Sequence, residues 1–149
     1  VLHRQSIVHS MVSYLDGSVL AQMGNPDMRT PIANALSWPE RIASGVEPLN
    51  LLQVSQLDFT LADPQRFPCL TLAREAWKEG GTAMAILNAA NEVAVEKFMN
   101  LEIKFTQIAQ LIEKVMETAE INPADSLESV LHSDAQARKI AHQLVSQAN

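Results

Sequence analysis

Apolar residues at helical spacing in the second half of the chain constrain its fold more than any other feature. From residue 68 onward, four segments carry apolar side chains every three or four positions, and short connections separate them. Each segment has one apolar stripe and a charged opposite face. Because such helices must bury their stripes against one another, the sequence predicts a four-helix bundle over 67–149.

Turn and cap residues predict the limits of the first three helices. The first is expected to begin at Pro68 and to end at the Gly80-Gly81 pair, and the second to cover about 83–99. Thr106 is the expected cap of the third helix. The expected apolar face of the first helix comprises Leu70, Ala73, Ala76 and Trp77, and that of the third comprises Ile108, Leu111, Ile112, Val115, Met116 and Ala119.

The last helix has two candidate caps, Ser133 and Asp134, and a short turn over 127–131 is expected to lead into it. Its expected apolar stripe comprises Ile140, Ala141, Leu144, Val145 and Ala148.

The first part of the chain follows a different period. Residues 6–23 alternate between apolar and small polar side chains, as in a half-covered antiparallel sheet. Asp16-Gly17 predicts a two-residue turn between two strands of a hairpin, with His9 on the face of Ile7 and Met11. A hairpin followed by a helical bundle places the chain in the α+β class.

Between the hairpin and the bundle the sequence predicts a loop, a short helix and a linker. Residues 24–31 form a loop rich in turn formers, and the helix after it is expected to be capped by Thr30 and ended by Pro39. Residues 43–66 are punctuated by Gly and Pro but are rich in Leu, so they predict a linker that lies against an apolar surface. Within the linker, "LDFTL" at 57–61 predicts a short strand.

Composition excludes several classes of function. The formal net charge of −6 and the lack of a basic cluster argue against nucleic acid or an anionic membrane as a partner. No apolar run approaches the roughly 18 residues of a membrane-spanning helix. The sequence has no phosphate loop, dinucleotide fingerprint, HExxH or CxxC motif. Its one cysteine, Cys69, is interpreted as a small buried apolar residue, since free cysteine is among the most buried residue types.

Three candidate positions carry polar or contact chemistry, and two interpretations of each stay open. His9 is either a hydrogen-bonded core residue or a ligand-binding imidazole. The "GNPDMRTP" loop either makes turns, with Arg29 paired to Asp27 or Glu40, or presents Pro26 and Met28 as an adaptable apolar surface. Two helical asparagines, Asn88 and Asn91, either fix helix packing or bind a ligand.

Three long strings carry a resemblance to a known family. They are "SIVHSMVSYLDGSVLAQMGNPDMRTPIANALSWPERI", "FPCLTLAREAW" and "LNAANEVAVEKF", and they occur in the family's order over nearly the whole chain. The chain resembles the carboxyl-terminal part of the bacterial 1-deoxy-D-xylulose 5-phosphate reductoisomerases.

The resemblance implies an activity and a domain organisation. Members of this family convert 1-deoxy-D-xylulose 5-phosphate to 2-C-methyl-D-erythritol 4-phosphate with NADPH and Mg²⁺ or Mn²⁺, as cytoplasmic homodimers, in the non-mevalonate route to isoprenoids. Residues 1–42 would end the central catalytic domain, 43–66 would be the linker and 67–149 the carboxyl-terminal bundle.

The resemblance also implies which site elements the chain holds. His9 and Pro26 match substrate-binding positions, and Met28 matches a position beside the cofactor ring. The catalytic residues, the metal ligands and the NADPH domain lie upstream in the family. The chain alone is therefore expected to be inactive and to bind no cofactor or metal.

A second hypothesis comes from a different class of protein. The chain could be a non-catalytic helical interaction module whose hairpin adds to a partner's sheet. The lack of a catalytic constellation fits both hypotheses, while the long matching strings favour the first.

Overall fold

The computed structural model of the chain describes residues 1–148, the last of them by its backbone only, and it confirms the α+β class. Contacts divide the chain into two compact units, Val1–Ala62 and the part from Asp63 onward. The predicted end of the bundle, Asn149, lies outside the described residues. The elements are β1 (Val8–Ser13), β2 (Val19–Met23), α1 (Arg29–Ser37), α2 (Leu51–Val54), α3 (Pro68–Glu79), α4 (Ala83–Met99), α5 (Gln107–Thr118) and α6 (Leu127–Ala148).

The predicted hairpin is present, but its register contains an irregularity that alternation did not predict. β1 and β2 are antiparallel, and Val8 is opposite Met23 while Ser10 is opposite Gln22. His9 is therefore an extra residue on β1, which makes it part of a β-bulge. A bulge bends its strand and redirects a side chain, and bulges are common next to functional sites.

The prediction of a two-residue turn at Asp16-Gly17 was wrong. Three residues, Leu15 to Gly17, lie between Tyr14 and Ser18, and the Tyr14 N–H donates to the Ser18 carbonyl (2.9 Å). Gly17 has φ +87°, which suits the left-handed residue that completes a three-residue hairpin loop. The Asp16 carboxylate accepts hydrogen bonds from the Ser18 hydroxyl and N–H, and these bonds lower the pKa of Asp16.

Helix α1 begins earlier than predicted and without the predicted cap. It starts at Arg29, so Pro31 lies within the first turn and Thr30 is helical. The Arg29 N–H donates instead to the Asp27 carboxylate (2.9 Å). The helix ends before the Trp38-Pro39 pair, as predicted, because the residue before proline disfavours the α conformation.

The segment after α1 contains a helix that was missed and lacks the strand that was predicted. Asn50 caps the single turn α2, because its side chain accepts from the Leu52 and Gln53 N–H groups. "LDFTL" forms no strand but only one bridge, in which Thr60 pairs with Leu2.

His3 strengthens the contact between the start of the chain and this segment. Its Nδ1 donates to the Asp58 carbonyl (2.8 Å), and its ring stacks on Phe59 with 4.7 Å between centroids. The start of the chain is thereby fixed within the first unit.

In the second unit α4 lies at the centre of the bundle. It packs against α3, α5 and α6, and α5 also packs against α3 and α6. Much of its buried face is alanine, which permits close approach of the neighbouring helices. The buried core comprises Ile86, Ala89, Ala90, Val93, Ala94, Leu111, Ile112, Val115, Ala137, Ala141 and Val145. Among the described helices, none combines the length and apolarity needed to cross a membrane.

Sequence periodicity located α3, α4 and α5 but misjudged one face. α3 ends at Glu79 and is followed by Gly80 with φ +75°, and the predicted stripe of α5 lies in the core or packs on it. On α3, Leu70 and Trp77 are exposed, and Leu72 packs on the core instead. Cys69 is exposed rather than buried.

The predicted caps of α5 and α6 were wrong. The Thr106 side chain makes no capping bond, and Gln107 Oε1 instead accepts from the Lys104 N–H (2.7 Å). α6 runs without a break from Leu127, and Ser126 Oγ accepts from the Ser129 N–H (3.1 Å). Ser133 is consequently a mid-helix residue that the neighbouring helices bury.

A polar clasp joins the α3–α4 turn to the α5–α6 connection. The Thr82 N–H donates to the Asn122 carbonyl (2.9 Å), and the Asn122 N–H donates to Thr82 Oγ1 (3.0 Å). Thr82 is 1% exposed. Gly81 lies against the same carbonyl, has φ +51° and leaves no room for a Cβ atom. The clasp therefore satisfies buried backbone groups at both connections.

We predict that Thr82→Val lowers the free energy of unfolding by about 1–3 kcal/mol, because it leaves the half-buried Asn122 N–H without an acceptor at nearly constant side-chain volume. Urea unfolding of the full chain, followed by helical circular dichroism, measures it. The exposed Thr118→Val is the matched control, with an expected change under about 0.5 kcal/mol. Equal effects of the two variants would contradict the role of the clasp.

We predict opposite effects for two serines of α6. Ser126→Ala should destabilise the chain by about 1 kcal/mol, because it removes the cap. Ser133→Ala should be neutral or stabilising, because the buried Ser133 Oγ has no hydrogen-bond partner. The same urea unfolding compares the two variants. A larger loss of unfolding free energy in Ser133→Ala than in Ser126→Ala would contradict the assignment of Ser126 as the cap.

Candidate functional site

A cleft of about 570 Å³ opens in the first unit, where the start of the hairpin, the loop after β2 and helix α1 meet. The loop reaches this position because the Gly24 N–H donates to the Ile7 carbonyl (3.0 Å), which fixes the exit of β2 beside the entry of β1. The cleft is lined by Ser6, His9, Gln22, Gly24, Asn25, Pro26, Asp27, Met28, Thr30, Pro31, Asn34 and Arg41. The three predicted site residues, His9, Pro26 and Met28, all line it.

The bulge places His9 at the wall of the cleft rather than in a core. His9 is exposed, and its Nδ1 lies 3.1 Å from Gln22 Oε1 on the paired strand. A Cβ atom added to Gly24 would lie 3.9 Å from the His9 ring. The imidazole therefore has one side-chain partner and an open side toward the cleft, where it can hydrogen-bond a ligand oxygen.

The loop both makes turns and presents an apolar surface, which the sequence had offered as alternatives. It makes tight turns, since the Asp27 N–H donates to the Asn25 carbonyl (2.8 Å) and the Asn25 side chain donates to the Glu47 carbonyl (2.7 Å). It also presents an apolar surface, because Pro26 is exposed and Met28 is 70% exposed. A flexible, polarisable thioether on a constrained backbone is suited to contact with a flat ring.

Asp27 and Arg29 form the strongest electrostatic feature of the site. Arg29 Nε donates to Asp27 Oδ1 (3.0 Å) and Nη2 donates to Oδ2 (2.7 Å), which is a forked pair. The hydrogen bond from the Arg29 side chain is the main reason that the pKa of Asp27 falls to about 2. The Asp27 carboxylate is therefore charged and already occupied at neutral pH.

Sequence reasoning missed four residues of the cleft, which are Ser6, Gln22, Asn34 and Arg41. Asn34 Oδ1 is buried and has no hydrogen-bond partner, so a bound molecule could supply the donor. Arg41 is the one cation among the described residues that line the cleft. Neither residue belongs to a motif, and each reaches the cleft only through the path of the chain after the loop.

The remaining candidates lie in the second unit and do not line this cleft. Asn88 Nδ2 donates to Glu92 Oε1 (2.9 Å), and the Glu92 carboxylate pairs with Arg138 of α6 (2.7 Å), so Asn88 supports helix packing. Asn91 is half-buried and lines a groove with Cys69. Within residues 1–148, no three His, Cys, Asp or Glu side chains lie close enough together to hold a metal ion.

Comparison with known proteins identifies relatives of the chain. A family model described as the DXP reductoisomerase C-terminal domain matches residues 23–140. The chain is 60% identical over 143 residues to a 1-deoxy-D-xylulose 5-phosphate reductoisomerase of Stutzerimonas stutzeri, and 57% identical over 143 residues to one of Pseudomonas putida. Each match covers 96% of this chain, and the chain spans 36% of the length of these relatives.

Solved structures of the same enzymes share the fold. The structure of 1-deoxy-D-xylulose 5-phosphate reductoisomerase from Zymomonas mobilis in complex with NADPH matches 96% of this chain and 38% of its own, with a TM-score of 0.85 and 48% identity. A reductoisomerase in complex with NADPH, fosmidomycin and magnesium matches 97% of this chain and 38% of its own, with a TM-score of 0.85 and 44% identity. The chain therefore belongs to the 1-deoxy-D-xylulose 5-phosphate reductoisomerase family, whose C-terminal domain it matches.

Proposed function

We propose that the chain is the carboxyl-terminal third of an enzyme that converts 1-deoxy-D-xylulose 5-phosphate to 2-C-methyl-D-erythritol 4-phosphate with NADPH. The observation that carries the proposal is the cleft, which His9, Pro26 and Met28 all line. We assign residues 1–42 to the end of the central catalytic domain, 43–66 to the linker and 67–149 to the helical bundle. The enzyme acts in the bacterial cytoplasm.

The substrate side of the cleft consists of His9, Pro26 and Arg41. An imidazole and a guanidinium suit the hydroxyl, carbonyl and phosphate oxygens of a phosphorylated sugar. Pro26 offers a rigid apolar contact to the carbon chain. These residues bind and orient the substrate and exclude water, and the catalytic residues are contributed by the part of the enzyme outside this chain.

The cofactor side of the cleft is Met28. NADPH supplies the hydride when it is bound, and the exposed thioether gives its nicotinamide ring a polarisable apolar surface. The reaction in this family also uses Mg²⁺ or Mn²⁺, and no residue of this chain is assigned to the metal. The described part of the chain offers no acidic cluster that would fit it.

The hairpin supports a homodimer. Val12, Val19 and Leu20 are all more than half exposed, and a two-stranded sheet has two open edges. Open edges and apolar faces of this kind pair with other strands. We propose that the hairpins of two copies of this chain pair with each other, and that the whole enzyme is a homodimer.

A chimera tests the proposed function. The upstream two-thirds of the Stutzerimonas stutzeri relative, joined to this chain, should oxidise NADPH only when 1-deoxy-D-xylulose 5-phosphate is present, and the chain alone should not. In the chimera, His9→Gln should lower kcat/KM about 10-fold, the loss expected for one hydrogen bond to bound substrate. Met11→Ala, on the same strand, is the control. A folded chimera without turnover, or equal losses in both variants, would contradict the proposal.

Self-association tests the proposed dimer surface. Sedimentation velocity of the chain over a concentration series should show a dimer or larger species. The double variant Val12→Lys and Val19→Lys should shift it to monomer, because like charges on neighbouring strands repel across the interface. Leu127→Lys with Leu131→Lys, at exposed apolar positions of α6, is the matched control. A monomeric unmodified chain would show that the hairpin does not associate.

A further inference from the structure

Met28 lies between two residues whose side chains are bonded to each other. The Asp27 carboxylate accepts from the Arg29 N–H (2.9 Å), from Nε (3.0 Å) and from Nη2 (2.7 Å). These bonds close a ring around the Met28 backbone, which has φ −66° and ψ −16°. The conformation of Met28 is thus fixed by its two neighbours, while its own side chain is free to meet a ligand.

A second set of contacts supports the loop on the side of residues 45–47. The Asn25 side chain donates to the Glu47 carbonyl (2.7 Å), and a Cβ atom added to Gly45 would lie 3.7 Å from Arg29 Nη1. Gly45 has φ +72°, a left-handed conformation that glycine adopts readily, in the segment beside the Arg29 guanidinium. A side-chain hydrogen bond therefore fastens the loop before Pro26, and the Asp27–Arg29 pair closes it around Met28.

Arg29 is not placed to bind a ligand itself. It does not line the cleft, and its Nε and Nη2 atoms both donate to Asp27. The cation that lines the cleft is Arg41. An exposed ion pair also contributes little to global stability, so neither ligand binding nor stability accounts for the pair.

We infer that Asp27 and Arg29 are positioning residues, which hold Met28 at the cleft wall in the conformation that receives the cofactor ring. The identity of the ring rests on the proposed function. The effect of the pair on the conformation of Met28 does not depend on it. It requires the fork of a guanidinium, because a lysine ammonium cannot donate two parallel bonds along the carboxylate. It also requires a charged carboxylate: the pair is intact above the ordinary Asp pKa of 3.8 and is lost as the pH falls through about 2.

The effect on Met28 is tested in the full chain by nuclear magnetic resonance. Arg29→Lys and Asp27→Asn should shift the Met28 backbone amide and ε-methyl resonances, and the pKa of Asp27 in Arg29→Lys should return toward 3.8. Asp16→Asn is the matched control, because Asp16 also accepts the N–H two residues later but lies in the hairpin loop. Met28 resonances that are unchanged in both loop variants would overturn the inference.

The effect on the cofactor is tested in the chimera by a double-mutant cycle. Arg29→Lys and Met28→Ala should each raise the KM for NADPH about 10-fold with kcat nearly unchanged, the loss expected for one apolar contact. If Arg29 acts through Met28, the double variant should be no worse than Met28→Ala alone. Additive losses would overturn the inference. A Met28→Ala chimera with unchanged KM would instead contradict the proposed cofactor contact, and the resonance measurement would still decide whether Arg29 holds Met28.

Discussion

The extra residue at His9 is the constraint on which the cleft depends. It puts the His9 imidazole beside Gln22, and the backbone bond between Gly24 and Ile7 then fixes the start of the loop next to the first strand. From that point the chain has to turn sharply to enter α1, and the turn is made by polar bonds rather than by apolar packing. The loop can therefore leave Met28 exposed without losing its shape.

The helical unit is held by a different kind of interaction. Its core is a close-packed set of aliphatic and small side chains on α4, α5 and α6, and alanine supplies much of the α4 and α6 contact. In such a core, substitution by a larger residue forces strain on its neighbours. The Thr82–Asn122 clasp closes both helix connections at one place, so few polar groups there remain unsatisfied.

The sequence allowed the helical unit to be predicted more fully than the cleft, for physical reasons. An apolar stripe and a glycine stop are local properties, and they located the end of α3, helix α4 and the core face of α5. The start of α6 was misplaced because Ser126 and Ser133 are both good caps, and only tertiary burial of Ser133 distinguishes them. The bulge depends on cross-strand pairing, which no local pattern reveals. Asn34 and Arg41 line the cleft only because the chain after the loop passes beside it, and this path is not a local property either.

We propose that Met28 meets the nicotinamide ring of NADPH in the assembled enzyme. Magnetisation transfer between a 13C-labelled Met28 ε-methyl group and the bound cofactor in the chimera measures that contact directly. We expect a cross-peak from Met28 to the nicotinamide ring protons and none from Met11, which does not line the cleft. A complex with saturated cofactor and no cross-peak from Met28 would contradict it.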